Sequence, residues 1–308
     1  MICVIIYKVE ENLEPSVVDT VEDYTGDLVA IMSTQEAKQK SELYNITKES
    51  IPKFKDANFC KATVHTDFLS ATFSILSKDQ NISKNNFAFI YFPGKLIFID
   101  DEDHVATYIK KMNKDKYHGG IKIGRFLYDF LEIIIESDLR YIEEMANRLT
   151  KIESAIIRGV FSEFNKFMFK FKKEILSFYR YYTQLSDLSD ELQENENGFF
   201  SDEDIEYFGK FSKRVEKLRD EARFLRETSN QLRDVYHSSV DSKNNEVMKF
   251  LTVVTTLVTP LTICSSWYGM NFVYMPELAH PFGYKGVIIF NIVVLVICTI
   301  ILKKKKLL

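Results

Sequence analysis

The sequence predicts an α/β domain followed by a long helical region and two C-terminal membrane-spanning helices. Residues 1–119 alternate between strand-like and helix-like patterns, and residues 120–246 keep a helical period. Residues 247–308 contain two apolar runs separated by a short loop. Each run is close to the length that a helix needs to cross a hydrocarbon core of about 30 Å. We therefore predict a cytoplasmic α/β domain, a cytoplasmic helical region and a membrane domain with these bounds.

Composition excludes some classes of protein. The 308-residue chain has a net charge of -4, whereas a general nucleic-acid binder needs a basic surface to replace phosphate counterions. The cysteines are Cys3, Cys60, Cys264 and Cys298. None has CxxC spacing, so neither a disulfide framework nor a zinc cluster is supported.

Strand candidates in the first region are short apolar or alternating runs. They are Ile2–Val9, Leu28–Ser33, Phe68–Leu76, Phe87–Phe92 and Leu96–Ile99. The last two form a predicted hairpin with its turn at Pro93–Lys95, where proline presets φ and glycine tolerates positive φ. Helices are predicted over Thr34–Tyr44 and after the acidic run Asp100–Asp103, which suits a helix N-terminus.

The first region shows no catalytic motif. It has no phosphate-binding glycine loop, no GxSxG and no HExxH, and His65, His104 and His118 lie without partners at metal-ligand spacing. The apolar start of the chain has neither a basic leader nor a small-residue cleavage site, so we expect a first strand and not a signal peptide. We predict that the chain is not an enzyme and that its N-terminal bulk stays in the cytoplasm.

The second region ends in one very long predicted helix. Helices from Ile121 onward stop at Asn197-Gly198, and Ser201–Asp204 then gives a strong helix start, a cap followed by acids. Between Ser201 and Gly269 the only glycine is Gly209. A heptad seam follows Phe211, Val215, Leu218, Ala222, Leu225, Ser229, Leu232 and Tyr236. A helix from about 202 to 268 is roughly 100 Å long at ~1.5 Å per residue, so we predict a stalk that continues into the membrane.

The crossings themselves predict the topology. The first covers about 247–268, the second about 286–302, and the external loop 269–285 lies between them. The basic tail 303–308 begins with four lysines, which mark the cytoplasmic side of a spanning helix. We therefore expect an integral protein of the cell (inner) membrane, in contact with membrane lipid and with both termini in the cytoplasm.

A line of polar side chains interrupts the first crossing and extends down the stalk. Its members recur every three or four residues and share one helical face. They are Asp234, Ser238, Asp241, Asn245, Thr252, Thr255, Thr259, Thr262 and Ser266, here called the polar stripe. Facing lipid these groups cost free energy, whereas facing a pore they bind water or a hydrated ion. The alternative is a polar seam between two helices, but the length of the stripe and its aspartates favour a pore.

A pore of this kind needs several copies of the chain. One helix cannot enclose a channel, so the stripe predicts a homo-oligomer with the stripe at its axis. Asp234 and Asp241 then form carboxylate rings that attract cations. Met248 and Leu251 are predicted to form an apolar gate that closes by dewetting.

The external loop carries a resemblance to a known family. It begins with Tyr268–Phe272 (YGMNF) and continues with Met275–Leu278 (MPEL). This resembles the signature of the CorA magnesium-transporter family, in which Gly-Met-Asn follows the first membrane helix and Met-Pro-Glu-Leu comes shortly after. The likeness extends to residues 244–249 and 260–262 and covers over half of the chain.

The resemblance implies a funnel-shaped homopentamer whose stalk helices line the pore. Mg2+ gives up its water reluctantly, and Asn271 is implied to hold the hydrated ion at the outer mouth, where Gly269 permits a tight backbone. The implied mouth residues are Gly269, Met270, Asn271 and Glu277, and the implied metal contacts are Asn271, Asn245 and Asp234. The implied basic collar is Lys249, Lys303, Lys304, Lys305 and Lys306. Mg2+ is implied as the transported ion and, where a regulatory site exists, as its ligand.

Two residues depart from the family pattern. Where Thr259 stands, members often carry a bulky apolar gate residue, so a hydroxyl here predicts a wetter constriction. Lys210 stands near the position at which some members carry an aspartate of an inter-subunit regulatory Mg2+ site. The resemblance therefore implies that this site is absent or rebuilt, with Glu203, Asp204 and Glu206 as nearby substitutes.

We expect Mg2+ uptake driven by the membrane potential, with Co2+ and Ni2+ as lesser permeants. Inward movement of a divalent ion gains about 4.6 kcal/mol per 100 mV, so no ATP is needed. One alternative is a Zn2+ transporter of the same superfamily, although that branch usually departs from the methionine at Met270. The other is a non-conducting, membrane-anchored coiled-coil sensor or scaffold, which explains the stalk but not the threonines.

Overall fold

Seven strands form one mixed sheet in the computed structural model, which describes residues 4–8, 15–18, 27–39, 59–78, 84–115, 122–159, 163–276 and 280–307. The strands are β1 (Val4–Lys8), β2 (Pro15–Val18), β3 (Leu28–Met32), β4 (Lys61–Val64), β5 (Leu69–Leu76), β6 (Lys84–Phe92) and β7 (Lys95–Ile99). Their order across the sheet is β2-β1-β3-β7-β6-β5-β4. The pair β3 and β7 is parallel and all other pairs are antiparallel.

The centre of the sheet is apolar on both faces. Every residue of β3 is buried, and so are four of the five residues of β7. Phe87, Phe98 and Phe130 meet across this core, with ring centroids 4.6 Å apart for Phe98 and Phe130. Strands that are buried on both faces read as continuous apolar runs, which is why the sequence predicted them without an alternating pattern.

The β6–β7 hairpin turns as predicted, but one residue tighter. Pro93 and Gly94 form the turn, Gly94 has a φ of 80°, and Phe92 pairs with Lys95. A positive φ after proline is what a type II turn requires at its third position. Lys95, assigned to the turn from the sequence, is the first residue of β7. The short strands β2 and β4 were not predicted.

Seven helices are described. They are α1 (Thr34–Gln39), α2 (His104–Asp115), α3 (Ile123–Ile135), α4 (Asp138–Ile157), α5 (Phe164–Glu194), α6 (Asp202–Tyr268) and α7 (Gly283–Lys304). The predicted extension of the first helix to Tyr44 lies outside the described residues. Helix α5 ends at Glu194, where Asn195 takes a left-handed φ of 48°, so the chain leaves the helix before the predicted stop at Asn197-Gly198.

Acidic side chains fix the starts of the first two helices. Asp100 accepts hydrogen bonds from the backbone amides of Glu102 and Val105, at 3.0 and 2.6 Å, ahead of α2. Asp101 accepts from the amide and hydroxyl of Thr34, at 2.8 and 2.7 Å, at the start of α1. The acidic run therefore stabilises the start of α2, as its sequence position predicted, and it also caps α1.

Helix α6 runs over the predicted span. Its first turn is closed by a reciprocal cap, in which Ser201 Oγ accepts from the Asp204 amide and Asp204 Oδ2 accepts from the Ser201 amide, at 3.4 and 3.1 Å. The heptad seam is buried from Phe211 to Leu232. Since a single copy of the chain buries this seam, its apolar residues are not a free coiled-coil surface.

The described chain divides into two compact units. The first unit combines Met1–Ala155 with Phe161–Gln231 and holds the sheet. The second unit combines Ile156–Val160 with Leu232–Leu308, so it contains the C-terminal part of α6 and all of α7.

Candidate pore-lining face and external loop

The second unit presents apolar helices with little of their surface covered. The described residues include two helices long and apolar enough to cross a membrane, within α6 and α7. Large apolar side chains are exposed along both, including Phe250, Ile263 and Trp267 on α6 and Ile289 and Ile300 on α7. An apolar surface of this extent needs lipid or further protein to cover it, so the surface agrees with the two predicted crossings.

The members of the polar stripe share one exposed face of α6. At 100° per residue they fall within an arc of about 120°. All of them are exposed: Asp234, Ser238, Asp241, Asn245, Thr252, Thr255, Thr259, Thr262 and Ser266. On the other side of the helix Phe250 and Val254 are exposed as well, but several residues there are partly covered: Val253, Leu257, Pro260, Leu261 and Cys264.

Helix α7 covers part of the side of α6 that lies opposite the stripe. Cys264 and Tyr268 of α6 line one cavity together with Gly283, Val287 and Phe290 of α7. The two apolar helices therefore approach each other on the side of α6 away from the stripe. The stripe is left as the free polar face of this helix within the second unit.

The threonine hydroxyls of the stripe are oriented by their own helix. Thr252 Oγ donates to the carbonyl oxygen of Met248 at 2.7 Å, and Thr255 Oγ donates to that of Leu251 at 2.8 Å. Thr262 makes the same kind of bond with Val258 at 3.0 Å. Each bond uses the hydroxyl hydrogen and leaves lone pairs on the oxygen. The exposed face consequently offers hydrogen-bond acceptors to water or to a hydrated cation.

The remaining stripe and gate residues are accessible. Met248 and Leu251 are 60% and 52% exposed, next to one another on the stripe side of α6. The side chains of Asp241 and Asn245 have no hydrogen bond or ion pair within the described part of the chain, while Asp234 Oδ1 lies 3.9 Å from Arg233 Nε. Free carboxylates at such positions attract cations.

The predicted mouth begins where α6 ends. The Gly269 amide still donates to the Ser265 carbonyl at 3.0 Å, and a Cβ on Gly269 would lie 3.1 Å from that oxygen. A close backbone contact, and not a positive φ, therefore disfavours a larger residue at this position. Met270 and Asn271 follow, both exposed. Glu277 lies outside the described residues.

The basic tail closes α7 in a defined way. Lys306 has a φ of 55°, its amide donates to the Lys303 carbonyl, and the Leu307 amide donates to the Leu302 carbonyl, both at 3.0 Å. This is a Schellman motif, which satisfies the last carbonyls of the helix. The five collar residues are all exposed: Lys249, Lys303, Lys304, Lys305 and Lys306.

Lys210 is paired within its own helix. Its Nζ lies 2.7 Å from Glu206 Oε1 and 5.0 Å from the centroid of the Tyr207 ring. The Glu206 carboxylate raises the pKa of Lys210, and Lys210 lowers the pKa of Glu206. An ammonium group has no lone pair to offer a metal, so the residue at this position does not fit a regulatory Mg2+ ligand.

The described residues contain no group of three His, Cys, Asp or Glu side chains arranged to hold a metal. His65 stacks on Phe68 with centroids 4.2 Å apart, and His104 Nε2 lies 3.1 Å from Glu102 Oε2. His118 lies outside the described residues. Any cation contact of the stripe therefore comes from several copies of the chain or from single exposed groups.

Comparison with known proteins adds a family match. Residues 31–304 match the family model described as CorA-like Mg2+ transporter protein. A cobalt/magnesium transport protein CorA of Thermotoga maritima is 28% identical over 195 residues, which cover 62% of this chain and 56% of that protein. The matched segments thus span about half the length of the curated relatives.

Solved structures resemble the chain over more of its length. The complete structure of the CorA magnesium transporter from Methanocaldococcus jannaschii matches with a TM-score of 0.80 at 21% identity, covering 98% of each chain. The ZntB cytoplasmic domain from Vibrio parahaemolyticus matches with a TM-score of 0.64 at 11% identity, covering 78% of this chain and 99% of that one. At these identities the likeness concerns the fold, and it confirms the predicted α/β domain, long helix and C-terminal apolar helix.

Proposed function

The chain belongs to the CorA-like Mg2+ transporter family, and from this premise we propose that it forms a membrane channel for divalent cations, with Mg2+ as the principal ion. The family is one of membrane transporters, which agrees with the prediction that the chain is not an enzyme. The observation that carries the proposal is the free polar face of α6. Nine exposed polar residues follow one side of α6, and five of them lie within the predicted membrane span, where most other residues are apolar.

Several copies of the chain are needed to make that face into a pore. A closed ring with the stripe at its axis covers the polar residues with water and leaves the apolar residues to lipid and α7. The pentamer implied by the sequence resemblance is such a ring. In it Asp234 and Asp241 form rings of charge at the cytoplasmic end and Asn271 forms the outer mouth.

The chemistry of the stripe favours a hydrated ion. Thr252, Thr255 and Thr262 present hydroxyl oxygens whose hydrogens are already bonded to the helix. Water molecules around Mg2+ point their hydrogens outward, and Mg2+ holds them tightly. Acceptors along the path therefore suit passage of Mg2+ with its water retained, driven inward by a potential worth about 4.6 kcal/mol per 100 mV for a divalent ion.

Two other functions receive less support. A Zn2+ transporter of the same superfamily is one alternative, but within the predicted membrane span the stripe offers hydroxyl oxygens and no thiolate or imidazole, the ligands that zinc favours. A non-conducting coiled-coil scaffold needs a free apolar seam, whereas the seam of α6 from Phe211 to Leu232 is buried within one copy. We propose both termini on the cytoplasmic side, because four exposed lysines, Lys303 to Lys306, stand at the C-terminal end of α7.

Mg2+ flux into liposomes tests the proposal. The purified protein is reconstituted with a trapped Mg2+-sensitive dye, and a K+ gradient with valinomycin sets an inside-negative potential. We expect potential-dependent Mg2+ influx that drops in Asn271→Ala. The control Asn230→Ala removes an amide that accepts from Lys172 Nζ at 2.7 Å in the first unit, and it should leave flux unchanged. No flux above protein-free liposomes, or full flux in Asn271→Ala, contradicts the proposal.

A further inference from the structure

The first unit contains a cavity that the channel proposal does not use. It has a volume of about 370 Å3 and lies between α2, α3, α4 and α6. Its apolar lining is formed by Met112, Ile133, Ile135, Leu139 and Leu218. Three of these, Met112, Ile135 and Leu218, are buried. A volume of this order is within the range of small-molecule sites.

Charged side chains stand around the apolar lining, and most of them are paired. Asp129 of the cavity wall lies 3.1 Å from Arg125 Nε, and Glu136 lies 2.6 Å from Lys111 Nζ. The described residues give no ion pair or hydrogen bond to Lys217, which also lines the cavity. The cavity therefore has one cation whose charge is not matched by a direct partner.

Glu132 adds a buried acceptor. Its Oε2 contacts Arg214, which also lines the cavity, whereas its Oε1 is buried and has no hydrogen-bond partner among the described residues. Burial raises the pKa of Glu132, and Arg214 and the Tyr128 hydroxyl act in the opposite direction. A carboxylate oxygen can accept more than one hydrogen bond, so a ligand that brings an N–H or O–H group to the buried Oε1 adds a bond to those that the Glu132 carboxylate receives from Arg214 and Tyr128.

We propose that this cavity binds a small organic anion that has an apolar ring or chain and one hydrogen-bond donor. The anionic group is held by Lys217 and Arg214, the apolar body packs on the Leu139 and Leu218 side, and the donor is accepted by Glu132 Oε1. The proposal does not rest on ion conduction, since all the residues involved belong to the first unit.

Indole-3-acetate is a suitable probe, because it combines a carboxylate, an aromatic body and one N–H. Its binding to the full-length protein in detergent is measured by isothermal titration calorimetry. Two ligands of similar size separate the features: 1-naphthaleneacetate lacks the N–H, and tryptamine replaces the carboxylate by an ammonium group. We expect saturable binding of indole-3-acetate, binding weaker by about tenfold for 1-naphthaleneacetate, and none for tryptamine.

Two variants test the site independently. Lys217→Met removes the unmatched charge, and Lys213→Met is its control, one turn earlier on α6 and outside the cavity lining. Leu139→Trp fills the cavity without touching a charge; Leu139 is 41% exposed, so the larger ring is tolerated at the rim. We expect Lys217→Met and Leu139→Trp to lose binding and Lys213→Met to keep it, with circular dichroism unchanged in all three.

The proposal is overturned by any of three results. The first is the absence of saturable binding of indole-3-acetate. This is the result expected if a second copy of the chain fills the cavity. The second is equal binding of all three ligands, which indicates partition into detergent. The third is unchanged binding in both Lys217→Met and Leu139→Trp.

Discussion

The hydroxyl of Thr252 donates a hydrogen bond to the carbonyl oxygen of Met248, one turn earlier in α6, at 2.7 Å. The bond fixes the hydrogen toward the helix and leaves the hydroxyl oxygen as an acceptor on the exposed face. A water molecule bound to a cation presents its hydrogens outward. The same helix bond that satisfies the threonine therefore prepares the face for a hydrated ion.

Thr252→Val tests this role with a side chain of the same shape but no acceptor. One hydrogen bond contributes about 1 kcal/mol, so we expect Mg2+ influx into liposomes to fall by about fivefold. Thr299→Val is the matched control, because Thr299 makes the same bond to the Leu295 carbonyl at 2.8 Å in α7. Unchanged flux in Thr252→Val, or an equal loss in both variants, would count against the assignment of the stripe.

Gly124→Ala tests how α6 is held at its start. A Cβ on Gly124 would lie 2.4 to 2.6 Å from the carboxyl group of Asp204, the residue that completes the cap with Ser201. The clash displaces that carboxyl group, so we expect a loss of roughly 1–2 kcal/mol of stability, the value of a helix cap. Hydrogen exchange should show faster exchange in the first turn of α6.

Gly209→Ala is the control for that experiment. Gly209 lies in α6, and a Cβ added to it meets only the flexible side chain of Gln193, at 3.4 Å. Alanine is the better helix former by up to about 1 kcal/mol, so exchange in α6 should stay the same or slow down. Faster exchange in both variants would show that any added methyl group disturbs this helix.

Cys60 gives a prediction about pH. Burial raises the pKa of the Cys60 thiol from an ordinary value of 9.0 to about 12, although a hydrogen bond with Ser74 and the charge of Lys84 act in the opposite direction. At pH 9 the thiolate fraction in the folded protein is then lower by a factor of roughly several hundred than in the unfolded chain. We expect iodoacetamide to label Cys60 only after denaturation, as measured by mass spectrometry of the peptide.

The same shift has a consequence for stability. Because the folded protein keeps this proton at a higher pH than the unfolded chain, the contribution is full below pH 9 and is lost as pH rises toward 12. Cys60→Ser should lessen the alkaline part of the stability loss. Rapid labelling of Cys60 in the folded protein at pH 9 would contradict the burial of this thiol.

Local sequence signals predicted α6 closely. The cap at Ser201, the acids after it and the absence of glycine beyond Gly209 gave the span that the structure has, because these signals act within one or two helical turns. Contacts between distant residues had no such signal. The approach of Gly124 to Asp204 and the contact of Glu132 with Arg214 join residues 80 and 82 positions apart in the sequence.

The sheet likewise combines strands that local sequence predicts with a strand order that depends on contacts between distant residues. Strands β3, β5, β6 and β7 are apolar enough to predict one by one, but their order depends on a parallel pairing of β3 with β7 across 62 intervening residues. Strand β4 has only four residues, Lys61–Val64, and exposed and buried positions alternate over the first three of them, which is too short for the period to be recognised in the sequence. The helix stop moved to Asn195 because asparagine itself adopted the left-handed conformation that Gly198 was expected to supply.

Lys210 leads to a prediction about regulation. Its ammonium group is paired with Glu206 in the same helix and cannot ligate a metal. We therefore expect millimolar Mg2+ to protect the first unit poorly from limited proteolysis. Lys210→Asp supplies a carboxylate and should increase that protection, with Lys213→Asp as the control. Strong protection of the unmodified protein by Mg2+ would show that a regulatory site exists without Lys210.

Cysteine accessibility tests most directly whether the stripe faces a water-filled pore. The native cysteines are first replaced: Cys3, Cys60, Cys264 and Cys298. Thr259→Cys is placed on the exposed stripe and Leu261→Cys on the partly covered opposite side of α6. A positively charged, membrane-impermeant methanethiosulfonate reagent is added to liposomes while Mg2+ influx is recorded. If the stripe faces the pore, the reagent blocks influx in Thr259→Cys and leaves Leu261→Cys conducting; block in Leu261→Cys with no effect in Thr259→Cys would contradict this arrangement.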